Sequence, residues 1–403
     1  MDRLKIVVLS SLFPSSVRKQ SGLFVRERMF RVAEFADIEV VSPVPWFPGQ
    51  SIIRWFKPNY RPMPEKIEIQ NGIKVHFPRF LSIPGLFRQW DGAMLARAAS
   101  RVIEKIEQQQ CIDVIDSHFT YPDGFAAGKI GERLNKKVTI TLRGTELSHS
   151  KDAQKKALLL EAWNRADHMI CVANSLKKLA VSLGADGDKF TVVGNGVDTE
   201  KFSVCEKNAA RKQLGIDEDS KVLITVGGLV KRKGFHRVIA CMPELMKTYP
   251  KLVYLIVGGA SAEGNIESEL RQQAEQLGVT SNVKFLGSLP PSELSVPLSA
   301  ADAFVLATAN EGWANVILES MACGTPVIAT DVGGNSEVIN SQKLGTIIPF
   351  DDHDKLLAAL DDGLAKQWDK AHIIQYAQDN QWNTRMDKLL NIFRSLVNKA
   401  EQS

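Results

Sequence analysis

The sequence predicts an α/β fold built twice. Three observations lead there. Short apolar, β-branched runs alternate with longer stretches of helical periodicity along most of the chain. The alternation starts afresh after a polar join near 195–219. The length of 403 residues also exceeds the roughly 250–300 that a single core usually serves, so two domains are expected.

In the first half the strand candidates are 4–9, 37–42, 112–117, 137–142, 168–172 and 189–193. Helix candidates there are 22–35, 90–109, 123–134, 152–166 and 174–183. The second half gives strands at 221–226, 252–257, 282–286, 303–306, 326–329 and 345–348. Its helices are 233–248, 266–277, 291–299, 314–322 and 353–365. Strand, helix, strand in succession calls for a parallel sheet covered by helices. The last strand-like run ends near Pro349, and 353–400 reads as helix only. Two such domains facing each other leave a central cleft at the carboxyl ends of their strands, where open α/β sheets bind ligands. Residues 43–64 depart from the scheme, with six prolines and the aromatics Trp46, Phe47, Trp55 and Phe56. Proline continues neither a helix nor a central strand, so a long loop is expected.

Composition narrows the class. Hydrophobic residues are 44% and charged residues 24%, which excludes a disordered or low-complexity chain. The net charge of +4 is uneven: residues 1–195 carry +9 and residues 196–403 carry −5. The stretch 43–97 is the most lopsided, with eight basic and three acidic residues. Such asymmetry suggests different partners for the two halves. Cys111, Cys171, Cys205, Cys241 and Cys323 are widely spaced without a CxxC, and read as buried thiols in a reducing compartment. No apolar run reaches the roughly 18–20 residues of a membrane span. The first residues, Met1-Asp2-Arg3-Leu4-Lys5-Ile6, read as a first strand, not as a signal peptide, which places the protein in the cytoplasm. The basic residues interleave with no recognisable nucleic-acid module, so no nucleic-acid partner is expected.

The sharpest motif runs from Asn310-Glu311-Gly312-Trp313-Ala314-Asn315-Val316 to Glu319 and on to Cys323-Gly324-Thr325-Pro326. A strand feeds a loop holding Glu311, a helix starts near Ala314, and Gly324 with Pro326 closes it. The helix start offers N–H groups and a positive dipole end to a phosphate. Glu311 and Glu319 are eight residues apart, about 10–12 Å along such an element. An extended nucleotide-sugar has that span, and a carboxylate at each end can accept bonds from paired hydroxyls. A second site, Gly227-Gly228-Leu229-Val230-Lys231-Arg232-Lys233-Gly234, follows a strand and opens a helix. Its glycines allow close backbone approach and its cations can neutralise phosphate. His118, just past a strand end, is placed for a cleft contact, with Asp116 and Asp123 as weaker candidates. Asp-x-Asp pairs occur at Asp186, Asp217 and Asp352. The last opens a helix, where Asp is a favoured cap, so no metal site is expected.

Together these motifs resemble glycosyltransferase family 4. The resemblance rests on Glu311-x7-Glu319, Ala322-Cys323-Gly324-Thr325-Pro326, Asp331-Val332-Gly333-Gly334-x-x-Glu337, Gly345, Lys233-Gly234 and Gly194-Asn195-Gly196-Val197-Asp198. Looser matches are Phe13-Pro14, Gly22-Leu23-Phe24-Val25-Arg26-Glu27, His118 and Arg143-Gly144-Thr145-Glu146. The resemblance implies two Rossmann-like domains of the GT-B type. These are 1–195 on the acceptor side and 196–370 for a nucleotide-sugar, with helices 371–403 crossing back to the first.

It further implies a retaining hexosyltransferase. Such an enzyme uses a UDP- or GDP-linked donor and a saccharide or lipid-linked acceptor in cell-surface polysaccharide synthesis. By the same resemblance Glu311 contacts the donor sugar and Glu319 the ribose. Lys233, Arg232 and the backbone of Asn315 and Val316 hold the diphosphate, with Gly228, Trp313 and Ala314 beside it. Gly22 lies near the transferred group, and His118 and Arg143 join the catalytic set. No cofactor or metal is implied.

Two positions depart from the family pattern: Gly228 stands where an Arg is usual, and Arg143 where a His is common. Arg232 is the candidate substitute for the first. A nucleotide-sugar epimerase of the same fold and a nonenzymatic sugar- or nucleotide-binding protein are the alternatives. The aromatic and basic segment 45–61 is the candidate for peripheral membrane contact on the inner face.

Overall fold

The computed structural model describes residues 3–57, 60–85, 88–261 and 263–401. Expectations touching Met1, Asp2, Pro58, Asn59, Gln402 and Ser403 lie outside the described residues. The chain divides into two compact units, Met1–Gly194 with Arg385–Ser403, and Asn195–Thr384.

Among the described residues the first unit holds ten strands: β1 (Lys5–Leu9), β2 (Asp37–Val41), β3 (Val44–Trp46), β4 (Ile67–Gln70), β5 (Ile73–His76), β6 (Arg79–Leu81), β7 (Val114–His118), β8 (Lys137–Leu142), β9 (His168–Cys171) and β10 (Phe190–Val192). Eight form one sheet in the order β10-β9-β8-β7-β1-β2-β5-β4, parallel except for the β4–β5 hairpin. All of β1 and β7 is buried, which is why β1 reads as the unbroken run Ile6–Leu9 instead of an alternating pattern. Helix Asp91–Gln109 packs through Leu95, Ala99, Ile103 and Ile106, a stripe at helical spacing.

Two expectations are corrected. Residues 43–64 are not one long loop: Val44–Trp46 pairs in parallel with β6, and Gln50–Phe56 is a helix. The helix occupies the proline-free stretch between Pro48 and Pro58, so the rule against proline is obeyed while the inference of a loop fails. The hairpin β4–β5 turns on Asn71 (φ 49°) and Gly72 (φ 78°), the two-residue turn that matches strand twist. Nor are all the thiols buried. Cys171, Cys241 and Cys323 are, but Cys111 is exposed and Cys205 half-buried.

The second unit holds β11 (Val222–Val226), β12 (Val253–Val257), β13 (Val283–Gly287), β14 (Ala303–Leu306), β15 (Val327–Thr330) and β16 (Gly345–Ile348), all parallel in the order β13-β12-β11-β14-β15-β16. Alternate residues of each strand feed two cores. Val222, Ile224, Leu255, Phe304 and Val327 pack with Ile317, Leu318 and Met321 on one face. Leu223, Tyr254, Ile256, Val305 and Ile328 pack with Val238, Ile239, Met242 and Leu360 on the other. Each such side chain contributes about 1.5–3 kcal/mol on burial. Helix Lys370–Asp379 lies against helix Asn315–Ala322 in this unit, and the long helix Trp382–Glu401 carries the chain into the first unit at Arg385.

Among the parallel strands of each sheet the order reverses once, between β7 and β1 and between β11 and β14. At such a switch point the two following loops turn in opposite directions and leave a crevice.

Candidate active site

Both second-half motifs emerge from the β11/β14 switch point. The loop after β11 ends in a tight turn, Lys231–Lys233, before helix Phe235–Thr248. The loop after β14 carries Thr308, Asn310 and Glu311. A backbone bond from Ala309 N to Arg232 O (2.7 Å) joins the two. The ammonium of Lys233 forms an ion pair with Glu311. Arg232 Nη1 reaches Glu311 at 3.3 Å and the Asn310 carbonyl at 3.2 Å. Its Nε and Nη2 make a fork onto both oxygens of Glu263, each at 2.7 Å. That fork keeps the guanidinium charged and pulls the Glu263 carboxyl below its ordinary range.

The backbone around Glu311 is fixed by close approach. Gly333 has φ 58°, and a Cβ there would fall 1.6 Å from the Glu311 carbonyl oxygen. Gly334 N donates to Gly312 O at 3.1 Å. Beyond the loop, helix Asn315–Ala322 begins without a side-chain cap, so its first N–H groups have none of the usual Ser, Thr or Asp partners. Asn195 Nδ2 donates to Asn315 Oδ1 at 2.8 Å, which anchors the helix start to the motif at the join. Asn310 Oδ1 and Trp313 Nε1 are buried and bond to no protein group. Val316 and Glu319 are half-buried on the same helix, and Ala314 is buried. A Cβ on Gly228 would come 3.1 Å from Ser261 Cβ. The Ser261 loop thus crowds a Cβ at 228, and the same loop supplies Glu263 to Arg232.

The first unit presents its own cluster at the β7/β1 switch point. His118 ends β7 and is fully buried. Arg143, after β8, donates to His118 Nδ1 from Nε (3.1 Å) and Nη2 (2.9 Å). Arginine only donates, so Nδ1 is the acceptor and the ring proton sits on Nε2, 3.3 Å from Asp116 Oδ2. Burial first, then the Arg143 charge, push the His118 pKa down to about 4. His118 is therefore a neutral ring enclosed by protein, and its expected contact with a ligand is closed off. The half-buried Arg143 lies in front of it, 5.0 Å from the centroid of Phe24. Burial, then Arg28, lower the Arg143 pKa. Glu146 joins the two loops, accepting from Thr120 Oγ1 (2.8 Å) and Gly144 N (2.8 Å). Gly22, at φ 71°, opens helix Leu23–Val32.

The sequence reading brings Lys233, Arg232, Glu311, Asn315 and Glu319 into one unit and Gly22, His118 and Arg143 into the other. It missed Glu263, an exposed carboxylate in a short loop with no sequence signal. Among the described residues no group of three or more His, Cys, Asp or Glu is placed to hold a metal ion. Asp352 caps helix His353–Ala365 by accepting from Lys355 N at 3.0 Å. Among the described residues no helix is long and apolar enough to cross a membrane.

Known proteins add to this geometry. The family model for Glycosyltransferase Family 4 matches residues 53–201, and that for Glycosyl transferases group 1 matches residues 206–380. The chain is 29% identical over 350 residues to a Bacillus subtilis protein named as teichuronic acid biosynthesis glycosyltransferase TuaC, covering 84% of each. It is 27% identical over 359 residues to D-inositol 3-phosphate glycosyltransferase of Kribbella flavida, covering 83% of each. Among solved structures, sucrose-phosphate synthase from Thermosynechococcus elongatus superposes with a TM-score of 0.78 at 18% identity, over 99% of this chain and 100% of that one. Anabaena Alr3699/HepE in complex with UDP-glucose gives 0.72 at 18% identity, over 98% and 100%. These last two are alike in fold. The chain belongs to the family 4 glycosyltransferases, has their GT-B fold, and is a transferase enzyme.

Proposed function

We propose that the chain moves a hexose-type sugar from a UDP- or GDP-linked donor to a saccharide or lipid-linked acceptor, with retention, in the synthesis of cell-surface polysaccharide. The observation that carries this reading is the convergence of Lys233, Arg232 and Glu311 at the β11/β14 switch point, beside the uncapped start of helix Asn315–Ala322. Cations and helix amides suit a diphosphate; a carboxylate suits sugar hydroxyls. The buried, unbonded Asn310 Oδ1 and Trp313 Nε1 support a ligand there. The name of TuaC supports a polysaccharide product, and the UDP-glucose bound by the Anabaena protein supports a nucleotide-sugar donor.

In this reading Lys233, Arg232 and the amides of Asn315 and Val316 take the charge that builds on the leaving diphosphate, without calling on a metal. Glu311 orients the sugar, and Glu319 the ribose. The bond from the anomeric carbon to the diphosphate oxygen breaks, and its electron pair stays with that oxygen. The acceptor hydroxyl attacks from the same face, and its proton passes to the departing phosphate. Arg143, lying on His118, faces the acceptor side, and the +9 of residues 1–195 favours an anionic or membrane-held acceptor. Trp55 and Phe56 are 82% and 83% exposed on helix Gln50–Phe56 beside Lys57, which supports peripheral contact with the inner face of a membrane. The test is incubation with a panel of UDP- and GDP-hexoses and a saccharide acceptor, read by proton NMR of the anomeric centre. A product with the donor's anomeric configuration is expected; the inverted anomer overturns retention, and isomerised donor without acceptor favours an epimerase.

A further inference from the structure

One buried acid plays no part in that scheme. Asp123 stands between β7 and helix Phe125–Leu134 and is 1% exposed. Its Oδ1 accepts from Ser11 N at 2.5 Å and its Oδ2 from Ser11 Oγ at 2.9 Å. Ser11 lies in the loop that follows β1, the neighbouring strand at the switch point. Ser10 Oγ donates to the Leu12 carbonyl at 3.0 Å. Gly22, at the far end of the loop, packs on that same carbonyl, where a Cβ would come within 2.1 Å of the oxygen. Asp123, Ser11, Leu12 and Gly22 therefore form a short mechanical chain from β7 to the start of helix Leu23–Val32.

We infer that Asp123 is a positioning residue: it clamps the loop after β1 through both donors of Ser11, and so sets Gly22 for sugar transfer. The inference rests on the glycosyl-transfer reading above, in which Gly22 lies near the transferred group. Burial pushes the Asp123 carboxyl up to about 7, against the pull of the Ser11 donors. Either form holds Ser11. The carboxylate accepts from N–H and O–H. The neutral acid accepts from N–H on one oxygen and donates its proton to Ser11 Oγ from the other. Asparagine copies the neutral form; alanine copies neither.

The experiment uses the full chain as wild type, D123A, D123N and S11A. Hydrogen–deuterium exchange of the amides at 11–22 reads the clamp without any substrate. Calorimetry with UDP and glucose transfer from UDP-glucose read its consequence. In D123A, protection at 11–22 and kcat each fall about tenfold or more, with the Kd for UDP within about twofold. D123N stays within about threefold of wild type on all three, because the amide repeats both bonds. S11A, which loses one bond of two, falls between them and serves if D123A does not fold. Unchanged protection in D123A, or D123N as damaged as D123A, overturns the inference. If wild type turns over no UDP-glucose, that donor is wrong, and the exchange result alone decides the clamp.

Discussion

Lys233 and Glu311 hold each other in an ion pair at the centre of the donor-side cluster. Three donors, Lys233 Nζ, Arg232 Nη1 and Thr308 Oγ1, converge on the same oxygen, Oε1 of Glu311. None of the three uses Oε2. In the proposed reading the cations are thus neutralised before a diphosphate arrives, and one carboxylate oxygen is left for hydroxyls. In that reading a donor brings both replacements at once, an anion for the lysine and hydroxyls for the glutamate.

Lys233→Ala removes the point charge nearest Glu311. Loss of one preorganised charge stabiliser costs about 10²–10³ in kcat. UDP binding measured by calorimetry weakens with it, and more steeply at low than at high ionic strength, since the partly buried lysine acts on a solvated anion. Affinity and rate unchanged by the substitution contradict the assigned role.

Gly333→Ala and Gly278→Ala separate strain from collision. Both glycines are left-handed, at φ 58° and 69°, but a Cβ at 278 meets nothing within 4 Å. Gly278→Ala lowers stability by about 1 kcal/mol, the backbone cost alone. Gly333→Ala lowers it further and takes turnover with it, because the new methyl displaces the Glu311 carbonyl. Urea unfolding and initial rates on both variants give the comparison. Equal losses in the two mean that the Glu311 loop is not held by this contact.

The acid limb of stability is set in part by Glu39. His76 Nε2 at 2.9 Å is the main cause that lowers its pKa to about 2, with Lys5 and Lys74 adding to it. A depressed carboxyl contributes stability that is complete above its unfolded value of about 4.5 and lost as pH falls towards about 2. Thermal unfolding between those values shows a falling midpoint, with a shallower slope in Glu39→Gln. Identical slopes mean the contact does not titrate with folding.

Trp55→Ser with Phe56→Ser removes the two most exposed aromatics of helix Gln50–Phe56. Sedimentation with vesicles of anionic phospholipid shows binding by the wild type and at least about tenfold weaker binding by the double variant. Transfer to a soluble saccharide acceptor stays as it was. Equal vesicle binding by both proteins removes this helix as a membrane contact.

Most of the fold was legible because parallel strands buried on both faces leave unbroken apolar runs, as in Ile6–Leu9 and Val222–Ile224. The donor-side motif was legible because it is contiguous. Its loop, helix and closing Gly324 follow one another along the chain. The hairpin at Asn71-Gly72 was readable from that dipeptide between alternating residues, yet the sequence reading assigned no element there. What tertiary structure alone decides was not readable. Arg143 covers His118 from the loop after another strand, and Glu263 meets Arg232 across 31 positions. No local pattern marks either meeting, and each changes what a named residue can do.

Glu311→Gln tests the central claim most directly, because it removes the charge and keeps the shape. The measurement is UDP or GDP release from a hexose donor panel in the presence of acceptor, paired with the Kd for the same nucleotide. The account predicts nucleotide affinity within about threefold of wild type and turnover lowered at least about a hundredfold, as expected where a group acts on the sugar and not on the diphosphate. A variant that releases nucleotide at the wild-type rate contradicts it.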